Sequence, residues 1–250
     1  MIEVGPDVSR DWVGQTVATP SAHARYVKAP ARSALRVHRD IPDEQAAFFS
    51  IAEVVMNGVR RAGVRFGEAV AIYGLGLLGQ LTVRFCYLCG ARPIVAIDVA
   101  EDRLARLPQG GAIVPVNAGQ DDVTAAVQEV THQRMVDVVF EVTGNPELIP
   151  AELHVLRRQG RFVVLSSPRG ETRFDFHDLC NWPSFTIIGA HCSSHPQHET
   201  GDNPWTMLRH GELFLDLVTG GDMDVGPLVS HRARYTDAPR LYRMLLQDRT

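Results

Sequence analysis

The sequence has no excess of positive charge and contains few cysteines. Its 250 residues carry 25 Lys and Arg against 29 Asp and Glu, which gives a formal net charge of −4. Nucleic-acid-binding proteins usually carry a basic excess that displaces counterions from phosphates, so this balance argues against a DNA or RNA partner. Four cysteines are too few for a disulfide scaffold, which makes a reducing cytoplasm the expected compartment.

Long hydrophobic runs are absent as well. The longest apolar stretches, such as Ile94–Ile97 and Phe162–Leu165, have the length of strands rather than of membrane-spanning helices. The first residues, Met1–Pro6, lack the basic and apolar regions of an export signal. We therefore expect a cytoplasmic α/β enzyme or ligand-binding protein without membrane contact.

Six short apolar runs predict one parallel sheet. Helical segments lie between several of them, and this alternation is typical of a doubly wound sheet with right-handed crossovers. The expected strands are 69–73, 93–97, 111–116, 136–140, 161–165 and 185–188. The expected helices are 77–89, 121–131, 146–158 and one that begins near Asp237, and two further strand-like pieces lie at 24–27 and 227–229.

A glycine-rich turn joins the first of these strands to the first helix. Gly74, Gly76 and Gly79 fit the pattern G-x-G-x-x-G, in which the glycines serve the tight turn, the approach of a pyrophosphate and close helix packing. The helix that begins with Leu77 and Leu78 offers unpaired amide groups to the phosphates. The motif predicts a dinucleotide site, and the alternative is a strand–turn–helix with incidental glycines.

Asp98 directly follows the second expected strand. A carboxylate at this place hydrogen-bonds the adenosine ribose hydroxyls and repels a 2′-phosphate. No basic residue comes directly after Asp98, so the sequence favours NAD over NADP. A methyltransferase can also carry an acid here, but six strands and the third glycine argue against that class.

Several short segments, taken in order, resemble the medium-chain dehydrogenase/reductase family, which includes the zinc alcohol and polyol dehydrogenases. The matching segments are Glu3–Val8, Val13–Val17, Ala24–Val27, Val59–Val64, Asp137–Gly144, Gly160–Val164 and Pro227–Arg232. The resemblance implies an NAD-binding Rossmann domain over residues 51–222. It also implies a truncated GroES-like, β-rich catalytic domain, with a remnant at 1–50 and a return to that domain at 223–250.

The resemblance also implies roles for individual residues. Glu53 falls where the family often has a small or hydroxyl residue facing the nicotinamide, and it could be a general acid/base or a surface helix residue. Arg103 would cover the adenine, and Val142 and Thr143 would line the nicotinamide ribose. The remaining implied contacts are Leu165, Ser166 and Ser167 along the ring, and Ala190, His191 and Cys192 at the carboxamide.

No zinc site is expected in this chain. By resemblance, a family ligand position falls at Phe49 or Ser50, and neither side chain binds zinc. His191, His195 and His198 with Cys192 form an alternative set of zinc-type ligands, but a polar loop at the cleft mouth is the favoured interpretation. Cys86 and Cys89 are interpreted as two core thiols.

These observations predict an NAD(H)-dependent oxidoreductase that moves a hydride between nicotinamide and an alcohol, a polyol or its carbonyl counterpart. The alternatives are an NAD-binding remnant without a complete active site and a zinc-free enone or quinone reductase, against which Asp98 argues. A homodimer is also expected, because strand 185–188 is uncharged and should form an exposed edge of the sheet. The loop 190–203 could instead cover that edge.

Overall fold

A parallel sheet forms the centre of the computed structural model, which describes residues 1–196 and 198–247. The described strands are β1 (Val17–Ala18), β2 (Leu35–Arg36), β3 (Val70–Tyr73), β4 (Ile94–Asp98), β5 (Ile113–Asn117), β6 (Val136–Glu141), β7 (Leu156–Val164) and β8 (Thr186–Gly189). The last six lie in the order β5-β4-β3-β6-β7-β8, and every neighbouring pair is parallel. The predicted doubly wound Rossmann sheet is therefore confirmed.

Helices cover both faces of this sheet. They are α1 (Asp43–Ala46), α2 (Phe49–Ala62), α3 (Leu77–Leu88), α4 (Glu101–Leu104), α5 (Val123–Val130), α6 (Ile149–Glu152), α7 (Met207–Gly220) and α8 (Ala238–Gln247). Alternate strand residues point to opposite faces. Val70 and Ile72 therefore belong to the apolar cluster under α2, α3 and α7, whereas Ala71 belongs to the cluster on the other face. None of the described helices is long and apolar enough to cross a membrane.

Helix α2 runs against β7 and reaches the edge of the sheet where the parallel strands end, which we call the carboxyl edge. At one end the Arg161 guanidinium donates to the Gly63 carbonyl at 3.0 Å. Further along, a Cβ at Gly58 would lie 2.5 Å from the Leu165 side chain just after β7, so these two residues are in close contact. The first turns of α2, which carry Glu53, therefore extend beyond the carboxyl edge, where doubly wound folds bind ligands.

The prediction of a helix at 146–158 is wrong for most of that segment. The chain there forms a 3-10 turn at Pro146–Leu148, the single-turn helix α6 and a second 3-10 turn at Leu153–Val155. Strand β7 then begins at Leu156, earlier than expected. Leu156 pairs with Val136 and Arg161 pairs with Val138, so the intervening residues bulge out of the ladder. Long-range pairing of β7 with β6 competes successfully with the local helical periodicity.

Two short strand predictions are also wrong. Residues 24–27 form bends and no regular element, and Pro227 lies in a 3-10 turn at Gly226–Leu228. A short strand is stable only where a neighbour completes its backbone hydrogen bonds, and neither segment has such a neighbour in the described parts of the chain. The sole ladder of the first 48 residues is the antiparallel pair β1–β2. The helix expected near Asp237 is confirmed as α8.

Candidate functional site

The three motif glycines differ in the space that surrounds their missing side chains. Gly74 adopts φ +90°, and a Cβ there would lie 2.9 Å from the Thr143 amide nitrogen. A Cβ at Gly79 would lie 1.9 Å from the Gly74 carbonyl oxygen, which no side chain tolerates. Gly76 has an ordinary φ of −62°, and no protein atom lies within 4 Å of its missing Cβ. The fold thus explains Gly74 and Gly79, whereas nothing in the described structure requires a glycine at Gly76, and open space remains beside it.

This open space adjoins the first turn of α3. The helix begins at Leu77, and Gly76 in the capping position provides no side-chain hydrogen bond. The first amide groups of a helix have no acceptor within the helix, and its dipole places partial positive charge there. Leu77 is 45% exposed, so this helix end is accessible from solvent. The arrangement fits a pyrophosphate seated against Gly76.

Asp98 ends β4 beside this turn, as predicted, but its carboxylate already has several protein partners. Oδ1 accepts hydrogen bonds from the Val99 and Ala100 amides at 2.8 and 2.9 Å. Oδ2 accepts from the Leu75 amide at 2.6 Å and lies 3.3 Å from Arg103 Nη1. The contact with Arg103 is the longest of the four. Asp98 therefore fixes the glycine turn, and its contact with a ribose stays a prediction.

Glu141 organises the middle of the carboxyl edge, a role that the sequence did not reveal. This fully buried residue ends β6. Its Oε1 accepts hydrogen bonds from the Thr143 hydroxyl and the Gly144 amide, both at 2.8 Å, and its Oε2 contacts the Ser166 hydroxyl. Val142 and Thr143 after β6 and Ser166 after β7 are thereby brought together. The only sequence signal was an acidic residue at the end of an apolar run.

The remaining predicted contacts follow β7 and β8. Leu165 is buried against α2, and Ser167 is exposed two residues further on. Ala190 is buried, and its amide donates to the Val164 carbonyl at 3.0 Å. His191 and Cys192 are exposed at the start of the next loop. The structure thus gathers the predicted cofactor residues along one edge of the sheet, and their ligand roles stay predictions.

Glu53 is not a surface residue but part of a buried polar network. Its Oε2 lies 2.9 Å from His195 Nε2, and both side chains are at most 7% exposed, but this oxygen has no hydrogen-bond partner in the described structure. His195 Nε2 also lies 3.2 Å from Nδ1 of the fully buried His210 on α7. His210 Nε2 in turn accepts a hydrogen bond from Arg60 Nε at 3.2 Å. Sequence reasoning missed His210, because α7 itself was not predicted.

The network shifts the pKa values of its two histidines in opposite directions. Burial lowers the pKa of His210 to about 3, and the positive charges of His195 and Arg60 act in the same direction. Burial also opposes the charge on His195, but the nearby Glu53 carboxylate and the contact with the Cys192 carbonyl raise its pKa above the usual 6.5. His210 is therefore neutral at physiological pH, whereas the pKa of His195 moves in the opposite direction.

A second buried carboxyl group lies on α6. Glu152 is 0% exposed, and in the described structure neither of its oxygens has a hydrogen-bond partner. Burial, assisted by the charge of Glu141, raises the pKa of Glu152 to about 9. Burial together with Glu152 also raises the pKa of Tyr73, the last residue of β3. Glu152 is thus a neutral acid at physiological pH.

The described residues do not fit a zinc ion. They contain no group of three or more His, Cys, Asp or Glu side chains arranged to hold a metal. His195 points to Glu53 and His210, whereas His191 and Cys192 are exposed. The interpretation of both helix thiols as core residues is half wrong. Cys86 is buried, whereas Cys89, which follows the last residue of α3, is exposed.

Comparisons with known proteins agree with this geometry. An uncharacterized zinc-type alcohol dehydrogenase-like protein of Escherichia coli (strain K12) is 23% identical over 95% of this chain and 63% of its own length. The erythritol/L-threitol dehydrogenase of Mycolicibacterium smegmatis is 28% identical over 86% of this chain and 63% of its own. A putative zinc-binding dehydrogenase from Sinorhizobium meliloti, solved with NADP, shares the fold with a TM-score of 0.73 and 23% identity, over 85% of this chain and 59% of that one.

The chain spans about three fifths of the length of these relatives. The sequence profile of the zinc-binding dehydrogenase family matches residues 78–205, just over half of the chain. This segment begins inside the glycine turn and ends after the loop that carries His195. The chain therefore belongs to the zinc-binding dehydrogenase family, which confirms the resemblance to medium-chain dehydrogenases/reductases.

Proposed function

We propose that this chain forms the NAD(H)-binding part of an oxidoreductase that transfers a hydride between nicotinamide and an alcohol, a polyol or the corresponding carbonyl compound. The open space at Gly76 is the observation that carries the proposal, since nothing inside the fold requires a glycine there. The names of the related dehydrogenases support the reaction class. Titration of the purified protein with NADH, followed by calorimetry or nicotinamide fluorescence, tests the cofactor directly.

Each part of the carboxyl edge then has one task. The amides of Leu77, Leu78 and Gly79 bind the pyrophosphate, and Asp98 and Arg103 bind the adenosine half. The nicotinamide supplies the hydride chemistry when bound, while the protein orients it. The residues that orient this half are Val142 and Thr143 at the ribose, Leu165, Ser166 and Ser167 along the ring, and Ala190, His191 and Cys192 at the carboxamide.

NADH should bind more tightly than NADPH. A 2′-phosphate would place negative charge beside the Asp98 carboxylate, and like charges in a partly desolvated site cost several kcal/mol. We expect a preference of at least about a hundredfold, which Asp98→Ser should narrow to less than about tenfold. Because the Leu75, Val99 and Ala100 amides lose their acceptors, the variant should also lower the free energy of unfolding by about 2 kcal/mol.

Asp102→Ser is the matched control, since Asp102 is exposed one turn further on. It should leave both the stability and the preference unchanged. Calorimetric titration with each cofactor, at equal ionic strength, measures the ratio of affinities. Equal affinities of the unmodified protein for NADH and NADPH would contradict the assignment of Asp98, and the relative solved with NADP makes this a real alternative.

A second candidate function is nucleotide binding without turnover. It is favoured by the lack of a metal-ligating group in the described parts of the chain and, by resemblance, by Phe49 or Ser50 at the position of a family ligand. Assays with a panel of alcohols, polyols and their carbonyl counterparts, with and without added zinc, separate the two candidates. Tight NADH binding together with no turnover of any compound would favour the nucleotide-binding role.

Self-association through β8 is expected. β8 is the outer strand of the sheet, Ile187 is 44% exposed, and the described part of the loop 190–203 leaves the strand uncovered. An exposed strand edge pairs readily with a second copy across a two-fold axis, and Trp182, 55% exposed, adds apolar surface nearby. Light scattering should show twice the 27.6 kDa chain mass, reduced to one chain by Ile187→Lys. A single-chain mass for the unmodified protein at micromolar concentration would refute the dimer.

A further inference from the structure

We propose that a cavity between α2, α3 and α7 binds a medium-chain alkyl carboxylate, with the carboxylate on Arg60 and the alkyl tail in the apolar interior. The cavity has a volume of about 400 Å³, which lies within the usual range of small-molecule sites. Helix α3 begins at the glycine turn, and the cavity adjoins its opposite end at Leu88 and Cys89. The site is therefore separate from the expected dinucleotide site and does not depend on the proposed function.

The interior of the cavity is apolar. Met56 and Val59 of α2 and Phe85 of α3 line it and are at most 6% exposed. The half-buried lining residues are Val64, Leu213 and Leu217. Protein interiors are normally close-packed, so a space of this size leaves these side chains without the contacts that a hydrocarbon would provide. An alkyl tail would provide them.

The opening of the cavity carries a positive charge. Among the described residues that line the cavity, only Arg60 is cationic, and none is anionic at neutral pH. Arg60 is exposed, as are Leu88 and Cys89, so these three side chains border the opening. Partial burial raises the pKa of the Cys89 thiol, and the nearby charge of Arg60 opposes this shift. A ligand can thus keep a charged end in water beside Arg60 while its tail is buried.

The Arg60 side chain is held in place by aromatic neighbours. Its Nε donates to His210 Nε2 at 3.2 Å, and its guanidinium carbon lies 3.3 Å from the centre of the Trp205 ring. Burial lowers the pKa of Arg60, and the positive charge of Arg209 acts in the same direction. None of the described carboxylates forms an ion pair with Arg60. An anionic ligand would provide the partner that this guanidinium lacks within the described structure.

The chemistry of the guanidinium favours a carboxylate as the charged end. The planar fork of an arginine matches the two oxygens of a carboxylate through parallel hydrogen bonds. Because Arg60 already stacks on Trp205, little of its side-chain freedom remains to be lost on binding. A single cation at the end of an apolar cavity suits one negative charge on one hydrocarbon chain, which is the structure of a medium-chain alkyl carboxylate.

Octanoate, octanol and acetate separate the contributions of charge and tail. Calorimetric titration of the full chain without nucleotide should show binding of octanoate at a single site, with a dissociation constant below about 1 mM. Octanol has the tail without the charge and should bind at least about tenfold more weakly. Acetate has the charge without the tail and should show no binding at the same concentrations.

Two substitutions on different helices test the assignment of the residues. Arg60→Gln should weaken octanoate binding at least about tenfold and leave octanol binding unchanged. Leu213→Trp fills the cavity and should abolish the binding of both compounds, and it serves as the test if Arg60→Gln does not fold. Arg65→Gln is the matched control, because it removes the same charge from an exposed residue that does not line the cavity. It should bind octanoate like the unmodified protein.

The thiol at the opening provides a second measurement. Saturating octanoate should slow the alkylation of Cys89 by iodoacetamide severalfold, because the bound ligand covers the sulfur atom. Peptide mass spectrometry measures the rate at each cysteine. Cys192 is also exposed but lies in the loop after β8, so its rate of alkylation should stay the same.

Three results would overturn the proposal. The first is an absence of octanoate binding, and the second is an octanoate affinity that Arg60→Gln does not change. The third is binding of many octanoate molecules per chain without protection of Cys89, since this would indicate non-specific adsorption. If octanoate does not bind and Leu213→Trp changes the mass measured by light scattering, the cavity belongs to a contact between two copies instead. None of these measurements uses a nucleotide, so their failure and the failure of the proposed function are distinguishable.

Discussion

Glu152→Gln is expected to stabilise the fold by about 3 kcal/mol at pH 7. The carboxyl group of Glu152 is fully buried without a hydrogen-bond partner in the described structure, and its pKa is raised to about 9 from the ordinary 4.5. At pH 7 the unfolded chain therefore ionises this group freely, whereas the folded protein keeps it neutral. Glutamine has the same shape and does not ionise, so the substitution removes this advantage of the unfolded state.

The raised pKa of Glu152 determines how the stability of the protein changes with pH. Between pH 4.5 and pH 9 the folded protein binds one proton more than the unfolded chain at this position, so stability falls as the pH rises, by about 1.4 kcal/mol per pH unit. Below pH 4.5 both states are protonated and the variant should gain nothing. Above pH 9 the difference should reach its maximum.

Urea unfolding at pH 4.5, 7 and 8.5 measures this difference. Glu147→Gln is the control, because Glu147 is exposed in the same segment and should unfold like the unmodified protein at every pH. A difference between the Glu152→Gln variant and the unmodified protein that is constant with pH would contradict a neutral buried acid. A variant less stable than the unmodified protein at pH 8.5 would contradict it as well.

The buried acid Glu152 lies close enough to Glu141 for the charge of Glu141 to act on it. Glu141, whose charge raises the pKa of Glu152, is also the residue that holds Thr143, Gly144 and Ser166 together. Two carboxyl groups that influence each other cannot both ionise cheaply in the interior. The neutral Glu152 therefore places no second negative charge beside Glu141, whose side-chain oxygens accept the hydrogen bonds that organise the carboxyl edge. Local violations of burial rules of this kind are expected near functional sites.

Local sequence patterns predicted the strands that are buried on both faces and the turns whose structure depends on their own residues. Ile94–Ile97 is buried on both faces of the sheet, so its continuous apolar run indicated a central parallel strand without further information. The glycine turn was also predicted, because the positive φ of Gly74 and the contact of Gly79 with the Gly74 carbonyl are requirements of the turn itself. The helical pattern after Pro146 failed, since pairing between β6 and β7 decides the structure of that segment.

The buried network at Glu53 could not be predicted from local sequence patterns. The sequence placed Glu53 close to the expected nicotinamide, but a surface helix residue explained it equally well. His195 reaches it from the loop after β8, and His210 from a helix that the sequence did not predict. These partners are distant in the chain, and only the packing of α2 against β7 and α7 brings them together. Asp98 is similar, because its extra contacts with Leu75 and Arg103 depend on the folded turn.

Alanine substitutions at Gly76 and Gly79 should separate ligand binding from folding. In Gly79→Ala the new methyl group would collide with the Gly74 carbonyl oxygen, so the turn must move and the free energy of unfolding should fall by more than about 3 kcal/mol. In Gly76→Ala the backbone suits alanine and the methyl group meets no protein atom. Its stability should change by less than about 1 kcal/mol.

NADH affinity should nevertheless fall in both variants, and in Gly76→Ala by at least about tenfold, because the methyl group occupies the space that the pyrophosphate needs. Thermal unfolding and NADH titration of the same preparations give the two quantities. Gly111→Ala is the control, since a Cβ there also meets nothing within 4 Å but lies before β5, away from the glycine turn. A stable Gly76→Ala protein that binds NADH as tightly as the unmodified chain would show that the open space at Gly76 is not the pyrophosphate site.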